Sequence, residues 1–135
     1  MRFVVGADVA LDLARREARP AKGVQLVAPT LIRSELLSLL YRLVRDGDLT
    51  RAQAEGYLDH VRGLRIRLLG DRVLQHSAWQ VAEQLSWPDT LTAEYIALTR
   101  LQADAFVTLD ADLAAAAARL VRVASVEDLL ATPPP

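Results

Sequence analysis

Residues 105–113, Ala-Phe-Val-Thr-Leu-Asp-Ala-Asp-Leu, form the segment that decides the fold of this chain. Its apolar run predicts a buried strand that ends on Asp110, and an alanine-rich helical segment follows. The start of the chain repeats this arrangement, because the apolar residues 2–5 are followed by Asp8 at the opening of a helical segment. In an open α/β sheet, ligands bind outside the carboxyl ends of the strands. An acid at such a point is therefore better placed to bind a metal or a substrate than to pack.

The rest of the chain alternates short apolar runs with longer amphipathic segments. The predicted strands are 4–5, 24–28, 64–69, 105–109 and 121–124. The predicted helices are 9–19, 31–45, 51–61, 71–85, 90–101, the alanine-rich segment up to 120, and 126–130. Thr30 is the predicted cap of the second helix, Thr50 and Gln53 form a predicted capping box for the third, and Ser125 caps the last. This alternation predicts one three-layer α/β/α domain over residues 1–131, with a mostly parallel central sheet. Residues 132–135, Thr-Pro-Pro-Pro, predict a disordered tail.

The composition predicts a single soluble domain in the cytoplasm. The chain has 135 residues, of which 52% are apolar, and this suffices for one core. No apolar run approaches the roughly 20 residues that a membrane-spanning helix needs, and the apolar start meets Gly6 too soon for a signal peptide. The chain has no cysteine, which excludes disulfides and thiolate metal sites. Any metal would therefore be held by oxygen ligands or by His60 and His76, and we assign those histidines no role.

The charge pattern leaves nucleic-acid binding open. A net charge of -1 is not the basic excess of an autonomous nucleic-acid binder, but all except one of the 16 basic residues are arginine, whose planar fork suits phosphates. A solvated surface of Arg and Glu side chains is the alternative. Trp79, Trp87 and Tyr95 are candidates for stacking on RNA bases or for packing. Residues 36–43, with Tyr57 and Leu58, are a candidate dimer surface.

Among the acids, Glu35 occupies the position that most clearly requires an ion-pair partner or a metal ion. It lies three residues after Ile32 and four before Leu39, so it shares their apolar face on a predicted helix. An ionised Glu among leucines is costly unless it is paired or holds a metal. Arg33 or Arg42 is the alternative partner, at a helix surface.

Three acids are expected to converge on one mouth of the sheet. Asp8 follows the first strand, Glu35 lies on the second long helix, and Asp110 follows a late strand. Such a cluster of oxygen ligands suits Mg²⁺ or Mn²⁺. These ions activate water and stabilise charge at a phosphodiester during hydrolysis.

Further segments follow the first strand and its acid in a fixed order. They are Ala-Pro-Thr-Leu-Ile-Arg-Ser-Glu-Leu-Leu (28–37), Thr-Ala-Glu-Tyr-Ile-Ala-Leu-Thr (92–99) and Val-Thr-Leu-Asp-Ala-Asp-Leu (107–113). Over nearly the whole chain, this order resembles the PIN-domain family, specifically the VapC-type toxin ribonucleases of bacterial toxin-antitoxin modules. The resemblance implies a PIN-like fold, Mg²⁺-dependent endoribonuclease activity, a homodimer, and a VapB-like antitoxin that blocks or fills the acidic site.

Two positions depart from the family's pattern, although Glu35 and Asp110 match it. Family members usually carry Asp directly after the first strand and Ser, Thr or Asn two residues later. This chain has Gly6 at the first place and Asp8 at the second. Asp8 is expected to reach the same mouth from its later position.

The other departure is Thr92, which stands where the family usually has an Asp. Asp89 lies one helical turn earlier and is expected to substitute across that face of the helix as a further metal ligand. Glu94 lies about 200° around the helix from Thr92 and is expected to face solvent.

These observations lead to one main hypothesis and two alternatives. The main hypothesis is a VapC-like endoribonuclease in which Asp8, Glu35 and Asp110, with Asp89, hold one or two Mg²⁺ or Mn²⁺ ions. The first alternative is a catalytically decayed PIN-like domain that binds RNA or a protein. The second is a metal-assisted phosphatase or nucleotide hydrolase, against which the chain lacks a glycine-rich phosphate loop.

Overall fold

The computed structural model describes residues 1–131, which form five strands and seven helices. The strands are β1 (Arg2–Val5), β2 (Gln25–Pro29), β3 (Arg67–Leu69), β4 (Ala105–Val107) and β5 (Val123–Ala124). The helices are α1 (Ala7–Arg15), α2 (Leu31–Arg45), α3 (Arg51–Gly63), α4 (Arg72–Leu85), α5 (Ala93–Gln102), α6 (Ala111–Ala117) and α7 (Val126–Leu130). The predicted tail at 132–135 lies outside the described residues.

The strands form one sheet in the order β3-β2-β1-β4-β5, and all four strand pairs are parallel. The central strand is β1, in which Phe3 lies opposite Leu26 of β2 and Ala105 of β4. The carboxyl ends of β1, β2 and β4 therefore lie side by side at one edge. The prediction of a mostly parallel α/β sheet is confirmed.

Helices cover both faces of the sheet because successive strand side chains point to opposite sides. Val4 and Phe106 belong to a core cluster with α4 and α5, whereas Phe3 and Val5 pack with residues of α1 and α7. Within residues 1–131, no helix is long and apolar enough to cross a membrane. The three-layer α/β/α architecture is confirmed.

A third cluster joins α2 and α3 to α1. Leu36 and Leu40 of α2 are buried against Leu11 of α1 and Ala54 of α3. Part of the predicted dimer surface is thus core of this chain. Leu37, 59% exposed, is an apolar side chain that α2 still presents outward, as is Tyr41.

Several predicted boundaries are wrong by a few residues. Helix α1 ends at Arg15 rather than at 19, because Glu17 adopts a left-handed backbone (φ 53°) and the amide of Ala18 bonds the carbonyl of Leu13. Strand β4 ends at Val107 rather than at 109, and α5 begins at Ala93 rather than at 90.

The predicted caps have different outcomes. Thr50 forms the predicted capping box with Gln53, and Ser125 caps α7 as predicted. Thr30 precedes α2 but forms no side-chain cap hydrogen bond, because its backbone is already helical. That cap prediction is wrong.

Candidate active site

The carboxyl edge of the sheet gathers the residues that follow β1, β2 and β4. The chain leaves β1 for β2 on one side, and β4 lies on the other side, so the direction of the sheet order reverses between β1 and β4. This reversal is the point at which open α/β sheets form a binding crevice. Asp8 follows β1, and Asp110 follows β4, so these two acids flank the crevice.

Asp8 is a half-buried carboxylate bound mainly to backbone amides. Its Oδ1 accepts a hydrogen bond from the amide of Val9 at 2.8 Å. Its Oδ2 accepts one from the amide of Leu109 at 2.9 Å and one from the hydroxyl of Thr108 at 3.1 Å. Asp8 therefore ties the end of β1 to the end of β4. Strand β4 ends at Val107, directly before the two residues that bond to Asp8.

Gly6 makes room for this arrangement. A Cβ atom at position 6 would lie 2.8 Å from Oδ1 of Asp8, closer than such atoms approach in proteins. The backbone of Gly6 (φ -92°, ψ 177°) is extended and suits any residue. Glycine at position 6 is therefore favoured by the position of the Asp8 carboxylate and not by the backbone conformation.

Asp110 lies at the start of α6 and is linked to Asp8 through one side chain. Its Oδ1 caps the helix by accepting the amide of Leu113 at 3.0 Å. Its own amide donates to the hydroxyl of Thr108 at 3.2 Å, and that hydroxyl donates to Asp8. Thr108 thus bridges two of the predicted site acids.

Glu35 is hydrogen-bonded to Tyr95 of α5, and the Tyr95 hydroxyl donates to Glu35 Oε1. Tyr95 is 5% exposed, and its ring lies 6.2 Å from that of Phe106. Among residues 1–131, neither Arg33 nor Arg42 forms an ion pair with Glu35. The apolar position of Glu35 did indicate a partner, but the partner is a hydroxyl and not an arginine.

The pKa of Tyr95 responds to three acids near its hydroxyl. Burial raises the pKa of Tyr95, and the hydrogen bond to Glu35 and the charges of Glu35, Asp8 and Glu94 raise it further. Burial likewise raises the pKa of Glu94, and the charge of Glu35 adds to this. Glu94 is half-buried beside this group, so the expectation that it faces solvent is wrong.

Asp89 does not stand on a helix beside Thr92. Residues 89–92 precede α5 in an irregular turn, where Asp89 Oδ1 accepts the amide of Leu91 at 3.1 Å. The predicted spacing of one helical turn between Asp89 and Thr92 is therefore wrong. The expectation for Glu94 failed for a different reason: Thr92 has a helical backbone (φ -68°, ψ -30°), and the burial of Glu94 depends on the packing around α5.

Comparison with solved structures finds matches over nearly the whole chain. PAE2754 from Pyrobaculum aerophilum matches with a TM-score of 0.76 and 23% identity, covering 96% of this chain and 92% of that one. VapBC2 from Rickettsia felis, bound to a DNA fragment from its promoter, matches with a TM-score of 0.66 and 11% identity over 93% and 98%. VapBC-1 from nontypeable Haemophilus influenzae matches with a TM-score of 0.58 and 12% identity, covering 94% of this chain and 99% of that one. This chain has a PIN-like, VapC-like fold.

The likeness is one of structure, since a scan against protein-family models and a search of curated proteins find no match. At 11–23% identity, these structural neighbours show the fold. The resemblance drawn from the sequence is confirmed at that level. In this chain, Glu35 lies on α2, Asp110 follows β4, and Gly6 and Asp8 follow β1.

The oxygens at the carboxyl edge of this PIN-like fold suit a hard cation such as Mg²⁺. Residues 1–131 contain no preformed group of three acidic or histidine side chains that would enclose an ion. Glu35 Oε2 and Asp110 Oδ2, however, accept no hydrogen bond from the described residues. Mg²⁺ is commonly held by one or two carboxylates and several waters. An ion held by these two oxygens would therefore keep much of its water.

Proposed function

We propose that this chain is a metal-dependent endoribonuclease of the VapC type, in which Asp8, Glu35 and Asp110 hold one or two Mg²⁺ or Mn²⁺ ions. The observation that carries this proposal is the Thr108 bridge, which joins the Asp8 carboxylate to the backbone amide of Asp110 at the crevice between β1 and β4. The charges of Asp8 and Glu35 also act together on Tyr95. Carboxylates gathered at this edge of a parallel sheet support ligand chemistry more than packing.

The residues of the chain prepare this site in distinct ways. Asp8 holds the ends of β1 and β4 together and keeps Thr108 and Leu109 in place. Glu35 and Asp110 each offer an oxygen that the described part of the chain leaves free. A bound Mg²⁺ ion would supply water activation and charge stabilisation at the RNA phosphate. Asp89 remains a proposed outer ligand and would have to reach the ion from its turn.

The proposed partners follow from the fold and from the exposed surface. Two of the structural neighbours are VapBC complexes, which supports a VapB-like antitoxin partner. Leu37 and Tyr41 of α2 are exposed apolar side chains and support a homodimer through that helix. We further propose that the protein works in the cytoplasm, where an RNA substrate and an antitoxin would both be available.

The test combines metal binding with RNA cleavage. Calorimetric titration of the wild type with Mn²⁺ should give saturable binding, and Glu35→Gln should weaken it because one charged ligand is lost. RNA cleavage should require Mg²⁺ and stop when EDTA removes it. Cleavage that persists in EDTA, or is unchanged in Glu35→Gln, would contradict the proposal.

A binding module without cleavage is the second candidate, and Gly6 and Thr92 favour it because neither supplies the usual acid. The two candidates differ in one measurement. A binding module would show no Mn²⁺ binding at millimolar concentration while retaining affinity for RNA or for a protein partner. Asp110→Asn would then leave that affinity unchanged.

A further inference from the structure

Tyr95 lies with its ring in the core and its hydroxyl at the carboxyl edge. The side chain is 5% exposed, and its ring meets that of Phe106 at 6.2 Å with a 40° tilt. Helix α5 packs against both α4 and the sheet, so the ring is enclosed from several sides. In a close-packed core a side chain has little freedom to turn. The direction of the Tyr95 hydroxyl is therefore set by the core.

The only described group that fixes the Glu35 carboxylate is this hydroxyl, which lies 60 residues away in the sequence. A Glu side chain has three rotatable bonds, and its carboxylate turns freely unless a partner holds it. Within residues 1–131, Glu35 forms no ion pair, and its Oε2 accepts no hydrogen bond. A single bond to a rigid donor thus selects one orientation of the carboxylate.

The chemistry of the donor suits a site that must keep its negative charge. An arginine at the same place would neutralise Glu35 and compete with a cation for both oxygens. A phenol is neutral at ordinary pH, so it stabilises one oxygen without cancelling the charge. The negative charges of Asp8 and Glu94 lie nearby and repel the Glu35 carboxylate. A donor at Oε1 therefore helps to hold that carboxylate in place.

We infer that Tyr95 is a positioning residue for Glu35: its hydroxyl holds Oε1 and thereby presents Oε2 to a divalent cation. The inference rests on the proposed metal-dependent function and adds a residue that acts through Glu35 without touching metal or RNA. Two hydroxyl groups at this edge then bond to candidate site acids. The Thr108 hydroxyl donates to Asp8, and the Tyr95 hydroxyl donates to Glu35.

The test removes one oxygen atom and leaves the ring in place. Tyr95→Phe keeps the packing against Phe106, and Tyr41→Phe is the matched control because Tyr41 is exposed on α2, the helix that carries Glu35. In calorimetric titration with Mn²⁺, Tyr95→Phe should raise the Kd by about tenfold, the worth of a hydrogen bond to a charged group. Tyr41→Phe should leave the Kd unchanged. In a Glu35→Gln background, Tyr95→Phe should have almost no further effect.

A second measurement needs no metal. In proton NMR of the metal-free protein, the Tyr95 hydroxyl should give a slowly exchanging downfield signal, because it is buried and bonded to a carboxylate. The signal should vanish in Tyr95→Phe, shift in Glu35→Gln and stay in Tyr41→Phe. A signal that does not respond to Glu35→Gln would overturn the inferred contact.

The outcomes separate this inference from the proposed function. Equal Mn²⁺ affinity of the wild type and Tyr95→Phe would overturn the positioning role while leaving metal binding established. A wild type that binds no Mn²⁺ would overturn the metal-dependent function together with the presentation of Oε2. Even then, the NMR comparison alone would decide whether Tyr95 holds Glu35.

Discussion

Asp8 and Glu35 are both half-buried acids at the carboxyl edge, but the protein holds them in different ways. Asp8 accepts hydrogen bonds from two backbone amides and from one hydroxyl. Glu35 accepts one, from a side-chain hydroxyl. Breaking the Asp8 contacts would leave backbone groups without partners, whereas Glu35 keeps an oxygen for a ligand. Asp8 therefore stabilises the fold by binding backbone groups as well as belonging to the proposed site. Glu35 binds no backbone group, and its proposed role is in the site alone.

Asp110→Asn should have the largest effect, and it acts on activity alone. Asp110 resembles Glu35 in keeping one oxygen free of protein hydrogen bonds. Even partners of metal ligands contribute about 10- to 100-fold, so losing a ligand's charge should lower RNA cleavage by at least about a hundredfold. Asn caps helices as well as Asp does, so the denaturation midpoint should not move.

The control for Asp110→Asn is Asp112→Asn, since Asp112 is an exposed acid in the first turn of the same helix. Asp112→Asn should keep full cleavage. If the two variants lose activity equally, the effect belongs to the charge of α6 and not to the site.

Asp8→Asn and Glu35→Gln test the comparison directly, because each replaces a carboxylate with its amide. In Asp8→Asn, an amide nitrogen must face a backbone donor, which should lower the free energy of unfolding by about 1–2 kcal/mol. In Glu35→Gln, the amide oxygen still accepts from Tyr95, and the change should stay within about 0.5 kcal/mol. Urea denaturation of both variants measures the difference. Equal losses of stability would remove the distinction between the two acids.

Gly6→Ala should lower the free energy of unfolding by about 1 kcal/mol, because the new methyl group would displace the Asp8 carboxylate. The loss should disappear when the change is made in Asp8→Ala, which is the test of coupling between the two positions. Gly56→Ala is the control, since Gly56 lies within α3 with no atom close to an added Cβ. It should stabilise the protein by about 0.5–1 kcal/mol. A Gly6→Ala effect that persists without Asp8 would show that another contact causes it.

The smallest effect is a pH dependence caused by Glu94. Its pKa is raised in the folded state by burial and by the charge of Glu35, so the folded protein binds this proton more tightly than the unfolded chain. Glu94 therefore contributes stability below the ordinary Glu pKa of 4.5, and this contribution is lost as pH rises through the raised value. Wild type and Glu94→Gln should diverge over that window in denaturation experiments.

Asp128 should give the opposite sign and serves as the comparison for Glu94. Hydrogen bonds from the Ser125 amide and hydroxyl hold the pKa of Asp128 below its usual value of 3.8. Its contribution is therefore present above pH 3.8 and lost as pH falls through the lowered value. If Glu94→Gln and Asp128→Asn shift the pH profile in the same direction, the assignment of Glu94 to the acidic edge is wrong.

The sequence predicted the fold well because short apolar runs, turn residues and caps agree with one another along the chain. The ends of elements were predicted less well, since tertiary contacts set them. Strand β4 stops where Thr108 and Leu109 bond to Asp8, and this contact spans about a hundred residues. Helix α1 ends at Arg15, two residues before Glu17 adopts a left-handed backbone. Because that position is not a glycine, the sequence does not indicate the turn.

The sequence located the three candidate acids but not their hydrogen-bond partners. Asp8, Glu35 and Asp110 could be named because each follows a strand or interrupts an apolar face, and their role in a site stays a prediction. Tyr95 was considered for stacking or packing, since no spacing rule links it to Glu35 across 60 residues. Glu94 was expected to face solvent because rotation along a helix does not show which neighbouring elements pack around it.

The glycine at position 6 limits how this site can change one residue at a time. An aspartate added at position 6 while Asp8 remains would bring its Cβ within 2.8 Å of the Asp8 carboxylate. Replacing Asp8 first would leave no acid after β1 and would free the loop after β4. Moving the acid from position 8 to position 6 therefore passes through a crowded or an emptied intermediate unless both positions change together.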